Sequence, residues 1–352
     1  MTNMNISSLA SFLQLNGSIR SLQQALLDGQ KELSTGRKAD LMADLGNQAT
    51  ADVDLRNAYT ETTEYKSTTD LVGTRLDVMQ TAISNIKDAI DKARTQALTA
   101  NSPVTRQQLQ SMAKTAIDQI NSLLNTQFGG RALFAGVQTD TQAMQGQNTV
   151  NPATSLSPTQ AVAQIIANLG PMTDAASAVA VANGPDGISS LFDNTNSNPN
   201  LQYSSTFYNG ATTGTLTARI DRGQEIDYGV RADDPALRES LQGLYMLAAM
   251  PSSSVSDDTY TAWQNEALTH LNNGFQGVVN MAGDLGFKQS AVADAATRHT
   301  STLTQLNTQI ANLEQADPYE TAAKLNQLQT QLEATFQVTA RMSQLTLTKF
   351  LT

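Results

Sequence analysis

Two side chains in this sequence could change protonation near neutral pH, His270 and His299. Imidazole at such positions can act as a general base or bind a metal. No cysteine accompanies them, so thiolate nucleophiles, thiolate metal sites and disulfides are excluded. Two histidines far apart also give no Ser-His-Asp spacing to argue from. His299 falls on the apolar face of a helical repeat, which favours a hydrogen-bonded core or interface imidazole. The acidic pairs Asp233-Asp234 and Asp257-Asp258 offer oxygens of the kind calcium takes. Neither has the alternating oxygen-ligand loop, and both precede helical stretches, so helix capping is the better reading. Gly129-Gly130-Arg131 lacks the strand–turn–helix context of a phosphate loop and reads as a helix stop. Trp263, the single tryptophan, reads as a packing anchor on a helix. No residue set points to catalysis, to a cofactor or to a metal site, and the chain is expected not to be an enzyme.

Composition points the same way. Aromatics make up 5% of 352 residues, and Ala, Gln, Thr, Asn, Leu and Ser dominate. That suits long helices meeting along narrow seams. The formal net charge is -10 and the basic residues are scattered without a stripe, so no nucleic-acid partner is expected. The N-terminal stretch lacks a basic region followed by an apolar one, so no cleaved signal peptide is expected. No run of about 18 apolar residues predicts a membrane span.

The strongest pattern is at the C-terminal end. Asp317-Pro318 is a helix-start signal, with Asp as cap and Pro at the first helical position. Leu325, Leu328, Leu332, Phe336, Met342 and Leu345 then recur at helical spacing, and Leu347, Phe350 and Leu351 crowd the end. Near the N-terminus, Phe12, Leu15, Ile19, Leu22, Leu26 and Leu33 step by three and four, with one gap at Gly29. Neither stripe has a local partner. The two could pair with each other, with other subunits, or pack as surface helices on one domain.

Between the ends the spacing predicts a loop or short helical turn over Leu33–Arg56, then a long helix. Val72, Leu76, Met79, Ile83, Ile86, Ile90, Ala93 and Ala97 form its seam without a miss. Ser102-Pro103 starts a third helix carrying Leu109, Met112, Ala116, Ile120 and Leu123, expected to pair antiparallel with the second and to end at Gly129-Gly130. Residues 131–232 are rich in Gly, Asn, Pro, Ser and Thr and read as a smaller β-rich or α+β insertion. It should hold a helix over 159–169 and two strands within 215–220 and 225–230. The Ala/Val-rich run 175–182 fits no single element, and the Ser/Thr-rich stretches 194–215 and 251–262 are either glycosylated or plain solvated loops. Asp234-Pro235 restarts helix with Leu237, Leu241, Leu244 and Leu247 on one face. Two more helices are expected, over 258–281 and 287–315. The fold class is therefore mainly α, a long antiparallel bundle or coiled coil drawn from both chain ends around an inserted domain.

Three ordered segments carry a resemblance. Leu33-Ser34-Thr35-Gly36-Arg37, the run NTQFGGRALFAGVQTDT from Asn125, and the C-terminal run from Asp317 to Leu351 are similar to the bacterial flagellin superfamily, with its hook-filament junction branch nearest. The resemblance covers about 1–140 and 234–352. It implies a polymerisation helix over 1–40, a helical core over 41–130 and 233–316, an outward-facing insertion over 131–232 and a second polymerisation helix over 317–352. It implies an extracellular flagellar part, exported unfolded by the flagellar type III apparatus. Implied partners are copies of itself, a hook-side junction protein, flagellin, and a chaperone holding the C-terminal helix. Flagellin itself, a surface protein binding through the insertion, and a cytoplasmic coiled-coil adaptor are the competing readings.

Overall fold

The computed structural model describes residues 3–100, 102–250 and 255–350, with side chains described for Ala10 and from Leu13 to Arg341 within those spans. Helix α1 (Asn3–Thr35), short α2 (Leu41–Leu45) and α3 (Ala49–Ala97) open the chain. Then come α4 (Pro103–Leu124) and a hairpin of β1 (Gln127–Phe128) and β2 (Arg131–Ala132). Helices α5 (Pro158–Leu169), α6 (Ala175–Asn183), α7 (Ile188–Phe192) and α8 (Tyr203–Thr206) precede a ribbon of β3 (Thr217–Asp221) and β4 (Gln224–Asp227). Helices α9 (Pro235–Ala249), α10 (Asp257–Glu314) and α11 (Pro318–Phe350) complete it. Both sheets are two-stranded and antiparallel. The mainly α class expected from the sequence is the class observed.

Contacts divide the chain into two units, residues 65–298 and residues 1–64 with 299–352. In the first, every seam position of α3 from Val72 to Ala97 is buried. Ser102 and Thr105 form a reciprocal cap at the start of α4, with Pro103 inside it. The buried stripe of α4 is Leu109, Ala113, Ala116, Ile117, Ile120 and Leu124, while Met112 and Leu123 lie at its edge. Helix α4 packs along α9, which turns its buried face away from the expected one. Asp234 caps α9 by accepting from Ala236 N at 2.9 Å, and Leu237, Leu241, Leu244 and Leu247 are all buried.

Four sequence expectations need correction here. Gly129-Gly130 does not stop a helix; α4 ends at Leu124, and the two glycines, at φ of 59° and 76°, form the β1–β2 turn. Positive φ at both central residues is what such a two-residue hairpin turn requires. The loop or short helical turn expected over 33–56 is confined to 36–48, with α2 as its helical part, because α1 runs to Thr35 and α3 begins at Ala49. The two helices expected between 258 and 315 are one, α10, 58 residues long. Gly283 and Gly286 sit inside it with open space around them. Each costs about 1 kcal/mol relative to alanine, and burial of Met281, Leu285, Val292 and Ala295 on either side outweighs that.

The fourth concerns the β-rich alternative for residues 131–232; their mix of helices and short strands fits the α+β one. They belong to the same unit as α4 and α9, and helices outnumber strands in them. The Ala/Val-rich run is helix α6, with Asp174 and Ser177 forming a reciprocal cap. The aromatic side chains of the insertion lean on α9: Phe207 packs edge-on against Tyr245 with ring centres 5.2 Å apart, and Phe192 and Tyr203 stack around it. Tyr203 Oη donates to Ala232 O at 2.9 Å and Tyr208 Oη to Ala211 O at 3.0 Å.

Burial pushes the phenols of Tyr203, Tyr208 and Tyr245 above their ordinary value. A folded pKa above the unfolded one contributes stability that is complete below about pH 10 and lost as pH rises beyond it. Burial raises Tyr260 in the same way, and four such groups give a slope of up to roughly 5 kcal/mol per pH unit. Unit 65–298 should therefore unfold cooperatively above about pH 10, with tyrosinate absorbance appearing in the same transition. Tyrosinate absorbance that rises while the helical circular dichroism is retained would contradict this.

Candidate assembly interface

The unit formed by 1–64 and 299–352 brings the two chain ends together. Asp317 Oδ1 accepts from Tyr319 N at 2.8 Å and Glu320 N at 3.4 Å, so α11 starts with the cap and proline read from sequence. Helix α11 turns back along α1. The join between them is a bridge of Arg37 with Gln315, and Gly29 of α1 lies against Leu325 of α11, so the helices run antiparallel. A Cβ added at Gly29 would stand 2.9 Å from Leu325 Cδ2. The gap in the N-terminal stripe is thus the place where the partner helix comes closest.

Of the expected interface residues, Leu325 is buried, and Leu15, Ile19, Leu22, Leu26, Leu328 and Leu332 are half-buried. Leu33 and Phe336 are each 47% exposed. The side chains of Phe12, Met342, Leu345 and Phe350 lie outside the described residues. Sequence reading missed Leu13, Leu27 and Val338, which are exposed, and Met42, which is 69% exposed on α2. The α1–α11 seam is therefore covered on one side only.

A charged root, also unforeseen, lies where α10 passes into α11. The Glu314 carboxylate is buried and is hydrogen-bonded by Arg56, and Arg37 Nη1 lies 3.5 Å from its second oxygen. Arg56 also donates to buried Asp52 at 3.0 Å. Burial disfavours the Arg56 charge, but its hydrogen bonds and the charges of Asp52 and Glu314 outweigh that and hold the guanidinium above its ordinary value. The signal for this root could not be local, since Arg56 and Glu314 stand at opposite ends of the chain.

The side chains that could do chemistry are spread apart. His270 Nδ1 lies 2.6 Å from Glu239 and its Nε2 2.8 Å from the Gln242 amide nitrogen, so with Nδ1–H donating to the carboxylate the second nitrogen accepts. It ties α9 to α10. His299 is buried on α10. Asp233 pairs with Arg231 at 2.8 Å, and Asp257 with Arg106 at 2.9 Å. Asp257 and Asp258 lie inside the first turn of α10 rather than before it; there their charge suits the helix end, and Ser256 is the side chain that accepts from Thr259 N. Trp263 is buried and donates to Met246 O at 2.8 Å. Among the described residues no three of His, Asp and Glu converge.

Paired chain ends with a half-covered seam define a helical structural protein built from both ends of its chain. Residues 6–139 match the model of the bacterial flagellin N-terminal helical region, and residues 268–351 that of the bacterial flagellin C-terminal helical region. Together these span more than half of the chain, which belongs to the bacterial flagellin superfamily. Its fold is shared with a protein assigned as a flagellar hook-associated protein from Vibrio parahaemolyticus: TM-score 0.52, 12% identity, covering 77% of this chain and 99% of the other. FlgL from Bacillus cereus aligns at a TM-score of 0.49 and 10% identity, over 73% of this chain and 99% of that one. No curated protein matches.

The Gly29–Leu325 approach generates a test. Gly29→Val should wedge α1 from α11, raising amide exchange at Leu22 and Leu328 by at least about tenfold, the equivalent of 1.4 kcal/mol, while α4 and α9 keep their protection. Unchanged exchange at Leu22 and Leu328 would show that the two helices do not meet there in solution.

Proposed function

We propose that this protein is a structural part of the bacterial flagellum that joins hook to filament, corresponding to hook-associated protein 3. The observation that carries this reading is the one-sided burial of the α1–α11 seam. Leu33 and Phe336 stand exposed beside half-buried Leu22, Leu26, Leu328 and Leu332. Burying one leucine fully contributes about 1.5–3 kcal/mol, while ordering each residue costs about 1–2 kcal/mol of backbone entropy. A pair of 33-residue helices so sparsely covered gains most when a neighbour covers the other side. A tube also needs contacts that repeat head-to-tail rather than closing in pairs, and an open seam along both chain ends provides that.

On this reading the assembly contacts are Phe12, Leu15, Ile19, Leu22, Leu26 and Leu33 at one end and Leu325, Leu328, Leu332, Phe336, Met342, Leu345 and Phe350 at the other. The polymerisation helices fall within 1–40 and 317–352. The protein is exported unfolded by the type III route and assembled outside the cell beside a hook-side junction protein and flagellin, and a chaperone covers the C-terminal helix before export. Resemblance in the run NTQFGGRALFAGVQTDT and the similar fold of a hook-associated protein support the junction role. Flagellin itself is the second reading, supported by the two family regions that it would share.

Immunogold labelling of sheared flagella separates the two. A few copies at the hook end are expected; label along the whole filament means flagellin. Leu332→Asp places a charge on the seam. It should abolish assembly and leave residues 65–298 folded, as read by circular dichroism and motility. Normal flagella built from Leu332→Asp protein would refute the seam as the assembly surface.

A further inference from the structure

Few apolar side chains are buried in the terminal unit. Among its described residues the buried hydrophobics are Leu45, Ala49, Ala316 and Leu325. None of them joins the continuous cluster that fills residues 65–298. At the root, charged and hydrogen-bonding groups are buried beside Ala316.

Glu314 is the last residue of α10, and its side chain is 1% exposed. Two features of that place disfavour a carboxylate: burial, and the negative end of a long helix. Among the described residues, Arg56, on one oxygen, and Arg37, beside the other, are the cations paired with it. The second oxygen has no hydrogen-bond partner of its own. The same short segment after α1 also caps α10. Lys38 N donates to Glu314 O at 2.8 Å, Lys38 Nζ donates to Leu313 O at 2.9 Å, and Ala316 N donates to Gly36 O at 3.0 Å. The first two of these carbonyls are orphans of the helix end that need a donor.

We propose that Glu314, Arg37 and Arg56 form an ionic latch that fixes the register in which α1 and α11 leave the end of α10, and that it opens without opening residues 65–298. The leucines of α1 and α11 repeat every three or four residues, so away from the Gly29–Leu325 contact the seam could slide by a heptad and still pair leucines. Buried charge does not slide in this way, because only one register brings both arginines to a single carboxylate. A polar group set into an apolar helix seam is known to choose register in this manner at some cost in stability. Because the compensation is a matter of paired charges, removing one member leaves the other stranded. The latch belongs to the free chain and is independent of what the protein assembles with.

Hydrogen exchange on the monomeric full-length chain tests it. Arg56→Ala should speed exchange in 13–35 and 318–341 by about tenfold or more and leave α4 and α9 unchanged. Adding Glu314→Gln removes the stranded charge, so the double variant should recover much of the lost protection, although it carries one more substitution. Arg56→Ala with unchanged exchange would overturn the latch. So would acceleration shared equally by α4 and α9, or a double variant at least as fast as Arg56→Ala alone.

Discussion

Apolar area is scarce in the terminal unit, and the behaviour of the chain ends follows from that scarcity. Residues 65–298 bury aliphatic and aromatic side chains in one continuous cluster, from Val72 on α3 to Trp263 on α10. The terminal unit draws on Leu45, Leu325 and two alanines, Ala49 and Ala316, among its described residues. A helix pair with one buried leucine and a run of half-buried ones sits near the point where burial and chain entropy balance. Such a pair can be ordered or released by modest changes around it, whereas the packed unit cannot. The division of the chain is thus one of energy source as much as of contacts.

Charge makes up part of what apolar packing does not supply, but with a different consequence. A leucine seam is tolerant of register and partner; the group of Asp52, Arg56, Arg37 and Glu314 is not. Buried ion pairs contribute little net stability, and in some systems a buried polar group fixes helix register. The terminal unit therefore combines a tolerant seam with a fastidious root.

The parts of this fold legible in the sequence are those whose signal is periodic or local. The α3 seam could be read at every position because it is buried along its whole length, and regular burial leaves a regular pattern. The caps at Ser102, Asp234 and Asp317 could be read because capping chemistry spans three or four residues. Gly29 was visible as a gap but not as a contact. What failed involved tertiary context. Gly283 and Gly286 look like punctuation until their buried neighbours are known, and the buried face of α4 is rotated by α9, which comes more than a hundred residues later in the chain. The charged root left no trace, since each of its members looks like an ordinary exposed residue within its own stretch. Half of the candidate interface was legible as a stripe; that one side of it is already covered by the opposite chain end was one of three open possibilities.

The insertion shows why sequence reading went wrong in a particular direction. Helices α6, α7 and α8 have 9, 5 and 4 residues, below the length at which a helix holds itself in water. A segment of such pieces, dense in Gly, Asn and Ser, carries no helical period to detect and so reads as strand and turn. What orders it is a shared aromatic cluster: Phe192, Tyr203 and Phe207 close around Tyr245, which α9 contributes. The insertion therefore borrows its core from the helical body. Insertion and α9 support one another: Arg238 donates to Phe192 O and Gln242 to Ser189, while α9 also packs along α4. A change at Tyr245 therefore reaches the insertion and the helical body together.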